Sequence, residues 1–344
     1  MNKKVFIAMS GGVDSSVAAY LMLKEGHECI GATMRLFDKE GSDDIGDARK
    51  VCEKLGIDFY VFDVRDEFKR HVIDDFVRTY ENCATPNPCV VCNKYLKFTS
   101  FWEYAEKHLC DFMVTGHYAR IEKENERFLL KKALDSSKDQ SYFLYCLNQE
   151  QLSHTLFPLG TLTKDAIREI ALANNLITAR KRDSQDICFV PGGDYASVIS
   201  EFSGKKYPGG NFVNTKGDVI GTHNGIINYT IGQRKGLGIG FGERVYVCEK
   251  RLNSNEVVLG KNKDLFSGSL DADKFNWIAF EKAPSSIRVK AKIRYAAKEE
   301  DATVFATSDT TVHIEFDNPQ RAIAKGQAVV LYDDDVVIGG GTIM

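Results

Sequence analysis

An α/β domain with a doubly wound parallel sheet, followed by two small β-rich or β-barrel domains, is the fold class that this 344-residue sequence predicts. Three observations carry the prediction. Up to about residue 180, β-rich apolar runs alternate with amphipathic helical stretches, the pattern of parallel strands covered by helices. A glycine pair, Gly11-Gly12, joins the first apolar run to the first helical one. Composition then changes, since 9 of the 28 glycines lie at or before residue 190 and 19 after it, and helical periodicity gives way to short alternating runs between turn residues.

Strands of the first domain are expected at 5–9, 29–34, 59–64 and 112–115. In a parallel sheet ligands sit beyond the carboxyl ends of the strands, which brings Gly11, Met34 and Gly116 to one pocket. Later strands are expected at 244–248, 256–259, 288–295 and 311–316, with 270–284 read as a linker. The expected domains are therefore 1–200, 201–271 and 272–344.

The Gly11-Gly12 turn leaves a strand and opens a helix, so unpaired backbone N–H groups and the positive end of the helix dipole point at one spot. An anion is the natural occupant. The Walker A pattern is missing, because no Lys-Ser or Lys-Thr follows, and the dinucleotide fingerprint fails as well. Ser10-Gly11-Gly12-Val13-Asp14-Ser15-Ser16 offers hydroxyls and glycine amides with no cation for a terminal γ-phosphate. Such a loop suits a pyrophosphate that is retained while the α–β bond of a nucleoside triphosphate breaks. The string resembles the loop of the ATP pyrophosphatase family, whose members adenylate a substrate oxygen.

A hydrophobic content of 43% supports packed cores, and a net charge of −3 excludes a globally basic nucleic-acid binder while allowing a local basic stripe. One is legible. Arg288, Lys290, Lys292 and Arg294 alternate with Ile287, Val289, Ala291 and Ile293, so a strand would carry four cations on one face, followed by Tyr295. That suits an RNA backbone with a base or ribose beside it; a solvated strand face is the plainer alternative. Five apolar residues between Lys4 and Ser10 are too few for a signal peptide or a membrane span, so a cytoplasmic protein with no membrane partner is expected.

Nine cysteines without an export signal point to thiols, metal ligands or catalytic sulfur. Cys29, Cys52, Cys110, Cys146 and Cys248 stand singly in apolar or helical surroundings and read as packing residues, whereas Cys83, Cys89 and Cys92 fall within ten residues. In TPNPCVVCNKYLKF, residues 85–98, Pro86 and Pro88 hold an extended entry to a helix. A thiolate at Cys92 would gain from the helix dipole and from Lys94, which makes Cys92 a candidate nucleophile. In RKRDSQDICFV, residues 180–190, Arg180, Lys181 and Arg182 would depress the pKa of Cys188, unless 187–190 is a buried strand with a packing cysteine. The C-x-x-C is also half of a zinc site, which Cys83 and Cys188 would have to complete.

With these motifs the chain resembles, from end to end, the tRNA-specific 2-thiouridylases. The likeness includes GATMRLF around Met34, TGHYAR at 115–120, KDQSYFL at 138–144, DSQDICF and IGQRKGLGI. The resemblance implies a PP-loop domain of the adenine nucleotide α-hydrolase type, with ATP on Ala8, Met9, Ser10, Gly11, Gly12, Val13, Asp14, Ser15, Met34 and Gly116. It implies that Cys92 is the nucleophile and that Cys188 carries a persulfide. Asn87, Pro88 and Cys89 would approach the target base, and His117, Lys138, Asp139, Gln140, Arg294, Tyr295 and Gln327 would touch the tRNA. The implied reaction adenylates the 2-oxygen of the wobble uridine in the anticodon stem-loop, with Mg2+ on the ATP, and releases pyrophosphate. Sulfur from a carrier protein then displaces AMP, leaving a Cys92–Cys188 disulfide to be reduced. DNA is not an expected partner.

One departure stands out: many members have Asp where this chain has Cys89, and that carboxylate is a candidate acid or base. The substitution makes Cys89, Cys92 and Cys188 a possible seat for a [4Fe-4S] cluster in an alternative thiolation chemistry. The same glycine loop also serves amide-forming synthetases, and an RNA-binding or redox-sensing protein with a vestigial nucleotide site is a third reading.

Overall fold

The computed structural model describes residues 2–38, 43–181, 187–238 and 244–344. Strands β1 (Lys4–Ala8), β2 (Glu28–Arg35), β3 (Asp58–Asp63) and β4 (Phe112–Val114) form a parallel sheet with β7 (Thr155–Leu156), in the order β3-β2-β1-β4-β7. The four strands expected here lie within one residue of their expected bounds. Val5, Phe6 and Ile7 of β1 are all 0% exposed, as a central strand covered on both faces requires. Helix α1 (Val13–Lys24) lays Val17, Ala18 and Ala19 into that core. Helix α2 (Asp44–Leu55) is capped by the Asp43 carboxylate, which accepts the Gly46 N–H at 3.0 Å, and ends at Gly56 in the left-handed region.

The chain divides into two compact units, one of residues 1–71, 89–185 and 334–338 and one of residues 72–88, 186–333 and 339–344. The first holds the parallel sheet and the hairpin of β5 (Ala119–Glu124) and β6 (Arg127–Lys132), where Lys131 is paired with Val336 of β17 (Val336–Ile343). The second holds a sheet of β8 (Gly210–Asn214), β9 (Val219–His223), β10 (Tyr246–Arg251) and β11 (Glu256–Gly260), ordered β10-β11-β8-β9. It also holds β12 (Phe266–Trp277), β13 (Ser286–Lys292), β14 (Glu300–Ala306), β15 (Val312–Arg321) and β16 (Ala328–Asp333). With β17 these six strands run β12-β15-β14-β13-β16-β17, and β17 returns onto β12 at Ala272↔Ile343 to close a barrel. Among the described residues no helix is long and apolar enough to cross a membrane.

Two expectations need correction. Residues 270–277 of the expected linker belong to β12, so the border expected at 272 falls inside a strand. Leu270, Ala272 and Phe275 are buried and polar residues lie between them; irregularities at Ser267/Ser269 and Asp273/Asn276 let one strand pair with β15 and then β17. Strand β13 stops at Lys292, so Arg294 and Tyr295 lie in the turn that follows it.

Candidate active site

The turn between β1 and α1 has the geometry of an anion cradle. Gly11 takes φ +70°, and Gly12 at the N-cap offers no side-chain cap to the first N–H groups of α1. The serines brace the loop internally. The Ser10 N–H bonds to Ser15 Oγ at 3.2 Å, and Ser15 Oγ and Ser16 Oγ donate to the Gly12 carbonyl at 3.1 and 2.8 Å. A Cβ on Gly11 would collide with the Asp44 carbonyl oxygen, whereas one on Gly12 would meet only Ser10 Oγ, at 3.5 Å. Gly116 follows β4, and its Cα lies so close to α1 that a Cβ there would meet Ser15 N at 2.9 Å. Ala8 pairs with Ala32 across β1 and β2, the Met9 N–H bonds to the Ala32 carbonyl at 2.7 Å, and Met34 lies two residues further along β2.

Side chains that the sequence reading did not assign to this loop hold it. Asp14 accepts the Tyr118 hydroxyl at 2.6 Å and both of its oxygens meet Lys164 Nζ, at 2.8 and 2.9 Å. Tyr118 and Lys164 are buried, so the carboxylate is neutralised from within. Lys181 Nζ bonds to the Gly11 carbonyl at 3.0 Å and to Asp44 and Asp47 at 2.8 Å each, fastening the loop to α2. Thr178 Oγ1 bonds to Ser16 Oγ at 2.8 Å. Tyr118 lay inside a quoted motif, but no sequence signal links Lys164 or Lys181 to residues more than a hundred positions away.

All nine cysteines are free. The helix Pro88–Cys92 continues as a π-helical stretch, Asn93–Ser100, and then as Phe101–Lys107, so Cys89 occupies its first turn and Cys92 lies deeper. Cys89 is exposed and Cys92 is 7% exposed. Burial pushes the Cys92 thiol above its ordinary range, and the opposing cation is Lys97 rather than Lys94. The expectation of a dipole-activated Cys92 thiolate is therefore corrected: desolvation outweighs the positive charge. Cys188 is exposed in a turn, not a buried strand, while Phe189 and Val190 beside it are buried. Arg182 lies outside the described residues, and Lys181 is committed to Asp44 and Asp47. Cys29, Cys52 and Cys110 are buried as packing residues, with thiols pushed up to about 12, 12 and 11. Among the described residues no group of three or more His, Cys, Asp or Glu side chains could hold a metal ion.

Several residues expected to meet tRNA have partners inside the protein. Asp139 accepts the N–H groups of Ala133 and Ser141 and the Ser141 hydroxyl, at 2.9, 3.2 and 2.8 Å. Gln140 Oε1 accepts the Tyr118 N–H at 3.0 Å, and Lys138 N–H bonds to the Asp135 carbonyl at 3.0 Å. His117 bonds to Thr115 Oγ1 at 2.8 Å between the rings of Phe98 and Phe157, and burial with Lys97 nearby holds it neutral, well below its usual range. In the second unit, Gln327 Nε2 donates to the carbonyls of Thr85 and Pro86, at 3.2 and 2.9 Å, and fixes the chain just before Asn87 and Pro88. The basic stripe is uneven. Arg288 pairs with Asp317, Arg294 Nη1 donates to the carbonyls of Arg321 and Ala322, and Lys292 lies 5.5 Å from the centre of the Tyr295 ring.

A family model described as a tRNA methyl transferase HUP domain matches residues 3–192. One described as a tRNA methyl transferase PRC-barrel domain matches 197–261, and one described as an aminomethyltransferase beta-barrel domain matches 267–343. The tRNA-specific 2-thiouridylase MnmA of Clostridioides difficile (strain 630) is 49% identical over 355 residues, covering 100% of this chain and 98% of that protein. The protein of the same name from Lachnoclostridium phytofermentans is 48% identical over 355 residues, covering 99% of each. Among solved structures, the NMN synthetase from Francisella tularensis aligns with a TM-score of 0.36 and 17% identity, over 60% of this chain and 79% of that one.

Proposed function

The chain belongs to the tRNA-specific 2-thiouridylase family, and from that premise we propose that it is the ATP-dependent sulfurtransferase that thiolates the wobble uridine of tRNA. The observation that carries the ATP-dependent half is the uncapped, lysine-free turn at Gly11-Gly12, whose amides suit pyrophosphate. A uridine carbonyl is a poor electrophile and its oxygen a poor leaving group. Attack of the 2-oxygen on the α-phosphate breaks the α–β bond, releases pyrophosphate and turns that oxygen into the leaving group AMP.

Ala8, Met9, Ser10, Gly11, Gly12, Val13, Asp14 and Ser15 hold the phosphates in this reading, with Met34 and Gly116 at the adenosine end. Lys164 and Tyr118 keep Asp14 from repelling them. Mg2+ would arrive on the nucleotide and offset the charge of its phosphates there. Cys188, exposed, accepts sulfane sulfur from a cytoplasmic carrier protein. Cys92 then attacks the Cys188 sulfur of that persulfide, a disulfide forms, and hydrosulfide leaves to displace AMP from C2; a thiol reductant restores both cysteines. The buried Cys92 thiol must first lose its proton, so a base is required. Asn87, Pro88 and Cys89 lead to the target base, and His117, Lys138, Tyr295 and Lys290 are the groups best able to meet RNA. Asp139, Gln140, Arg294 and Gln327 serve that surface indirectly, by holding backbone.

Incubation with ATP, tRNA and a persulfide donor, followed by mass analysis of nucleosides and a pyrophosphate assay, tests the reading. Expected are 2-thiouridine and pyrophosphate release that requires tRNA. Cys188→Ser should release pyrophosphate without forming thiouridine, and Cys92→Ser should acquire the persulfide and stall. Full activity of Cys188→Ser ends the persulfide route. Iron and sulfide in anaerobically purified protein, lost in Cys89→Ser, would favour the cluster route instead.

A further inference from the structure

Within the second unit, Tyr80, Cys83 and Lys250 form a cluster that the chemistry above does not use. Lys250 lies on β10 and is 9% exposed; among the described residues its Nζ is buried without a hydrogen-bond partner. The ammonium group sits 5.7 Å from the centre of the Tyr80 ring, which is buried and lies 6.0 Å from the ring of Tyr195. Cys83 is partly exposed, and its N–H bonds to the Tyr80 carbonyl at 3.0 Å, which sets it beside the residue whose ring the Lys250 ammonium covers. It also stands at φ +59°, a left-handed backbone that a cysteine adopts only at some cost.

An ammonium taken out of water needs an anion, and a protonated thiol is not one. Burial lowers the Lys250 amine to about 8 and raises the Cys83 thiol, so near neutral pH the cation stays unmatched. A persulfide is a stronger acid than a thiol. Adding one sulfur atom to Cys83 would lengthen its side chain and end it in an anion of the charge that Lys250 lacks.

We propose that Cys83 is a second sulfur-accepting cysteine, held as a persulfide anion by the Lys250 ammonium. The proposal rests on the thiouridylase reading for its source of sulfane sulfur, a low-molecular-weight or protein persulfide, R–S–SH. Cys83 releases its proton to water beside the Lys250 ammonium, and the thiolate attacks the outer sulfur of the donor. The donor's S–S bond breaks, its thiol leaves with the donor proton, and Cys83–S–S− remains beside the Lys250 ammonium. No net oxidation or reduction occurs.

The test uses the full chain with Cys92→Ser and Cys188→Ser, glutathione persulfide as donor, and alkylation followed by peptide mass analysis. Expected is one added sulfur atom on the peptide carrying Cys83, at least about tenfold above Cys248, a partly exposed thiol that faces Asp264. Adding Lys250→Met should cut labelling about tenfold, the effect of one pKa unit, and Lys250→Arg should preserve it. Labelling of Cys83 no greater than that of Cys248 overturns the proposal, as does equal labelling in a folded Lys250→Met protein. If Lys250→Met does not fold, the comparison with Cys248 decides alone. This double variant cannot thiolate tRNA, so its result stands apart from the pyrophosphate assay on the wild-type chain, which tests the parent reading.

Discussion

Gly11 and Gly12 are adjacent yet carry different burdens. Gly11 needs the left-handed region and the space beside the Asp44 carbonyl, so Gly11→Val should destabilise the fold by about 1–3 kcal/mol from backbone strain alone, with the collision adding to it. Gly12 has φ −101° and room for a side chain, so Gly12→Val should keep its unfolding midpoint. Its side chain would nevertheless intrude on an anion at the start of α1. Calorimetry should find pyrophosphate affinity lowered about tenfold or more in Gly12→Val, a loss of about 1.4 kcal/mol. Equal affinity in a folded Gly12→Val protein would remove the loop from the phosphate site.

At the scale of the element, β13 separates two kinds of cation that its alternation alone makes equal. Arg288 is held by Asp317, so a phosphate would have to compete with a carboxylate for it. Lys290 is exposed on the same face, with Asp301 as its cross-strand neighbour. Lys290→Ala should therefore lower the salt slope of tRNA binding by about 0.7–0.9, the share of one phosphate contact, and Arg288→Ala by less. Filter binding of tRNA across a range of salt concentrations measures both, and equal slopes in all three proteins would take this strand out of the RNA surface. A second element-level prediction concerns Lys164, which joins α1 to the helix Lys164–Ala173 through Asp14. Lys164→Met should cost about 1–3 kcal/mol by leaving a partly buried carboxylate without its charge partner, and Asp14→Asn in the same chain should recover part of it. Denaturant unfolding of the two single variants and the double variant measures that coupling.

At the scale of the whole molecule, the buried thiols set an alkaline limit. Cys29 and Cys52, both in the core of the first unit, have thiols raised to about 12 in the folded chain, against about 8.5 when unfolded. The folded state therefore holds protons that the unfolded state releases. This contribution to stability is fully present below about pH 8.5 and is lost as pH rises toward 12, by up to about 1.4 kcal/mol per pH unit for each thiol. Chemical denaturation between pH 8 and pH 10 should show a falling midpoint, and Cys52→Ala should flatten the fall even if it lowers the starting stability. A midpoint independent of pH in that window would mean that these thiols ionise in the fold as they do in water.

The sequence by itself determined the elements whose signal is local. Hydrophobic runs mark β1, β2 and β4 because those strands lie inside the sheet and are largely buried, and no partner is needed to read that; the edge strand β3 is legible as an apolar run although Tyr60 and Val61 are exposed. The Gly11-Gly12 turn is legible for the same reason, since backbone geometry alone restricts which residues can stand there, whereas the helix expected from Lys94 onward, after an extended entry at Pro86 and Pro88, already starts at Pro88. Tertiary structure decided the rest. Strand β12 carries polar residues between its buried ones, and only its pairing with β15 and β17 makes it a strand. Lys164 meets Asp14 and Lys181 meets Gly11 across 150 and 170 positions of chain, distances at which sequence spacing carries no information. The state of Cys92 belongs to the same class. Helix position and nearby lysines can be read in sequence, but the desolvation that outweighs them depends on how densely the surrounding chain packs around the sulfur.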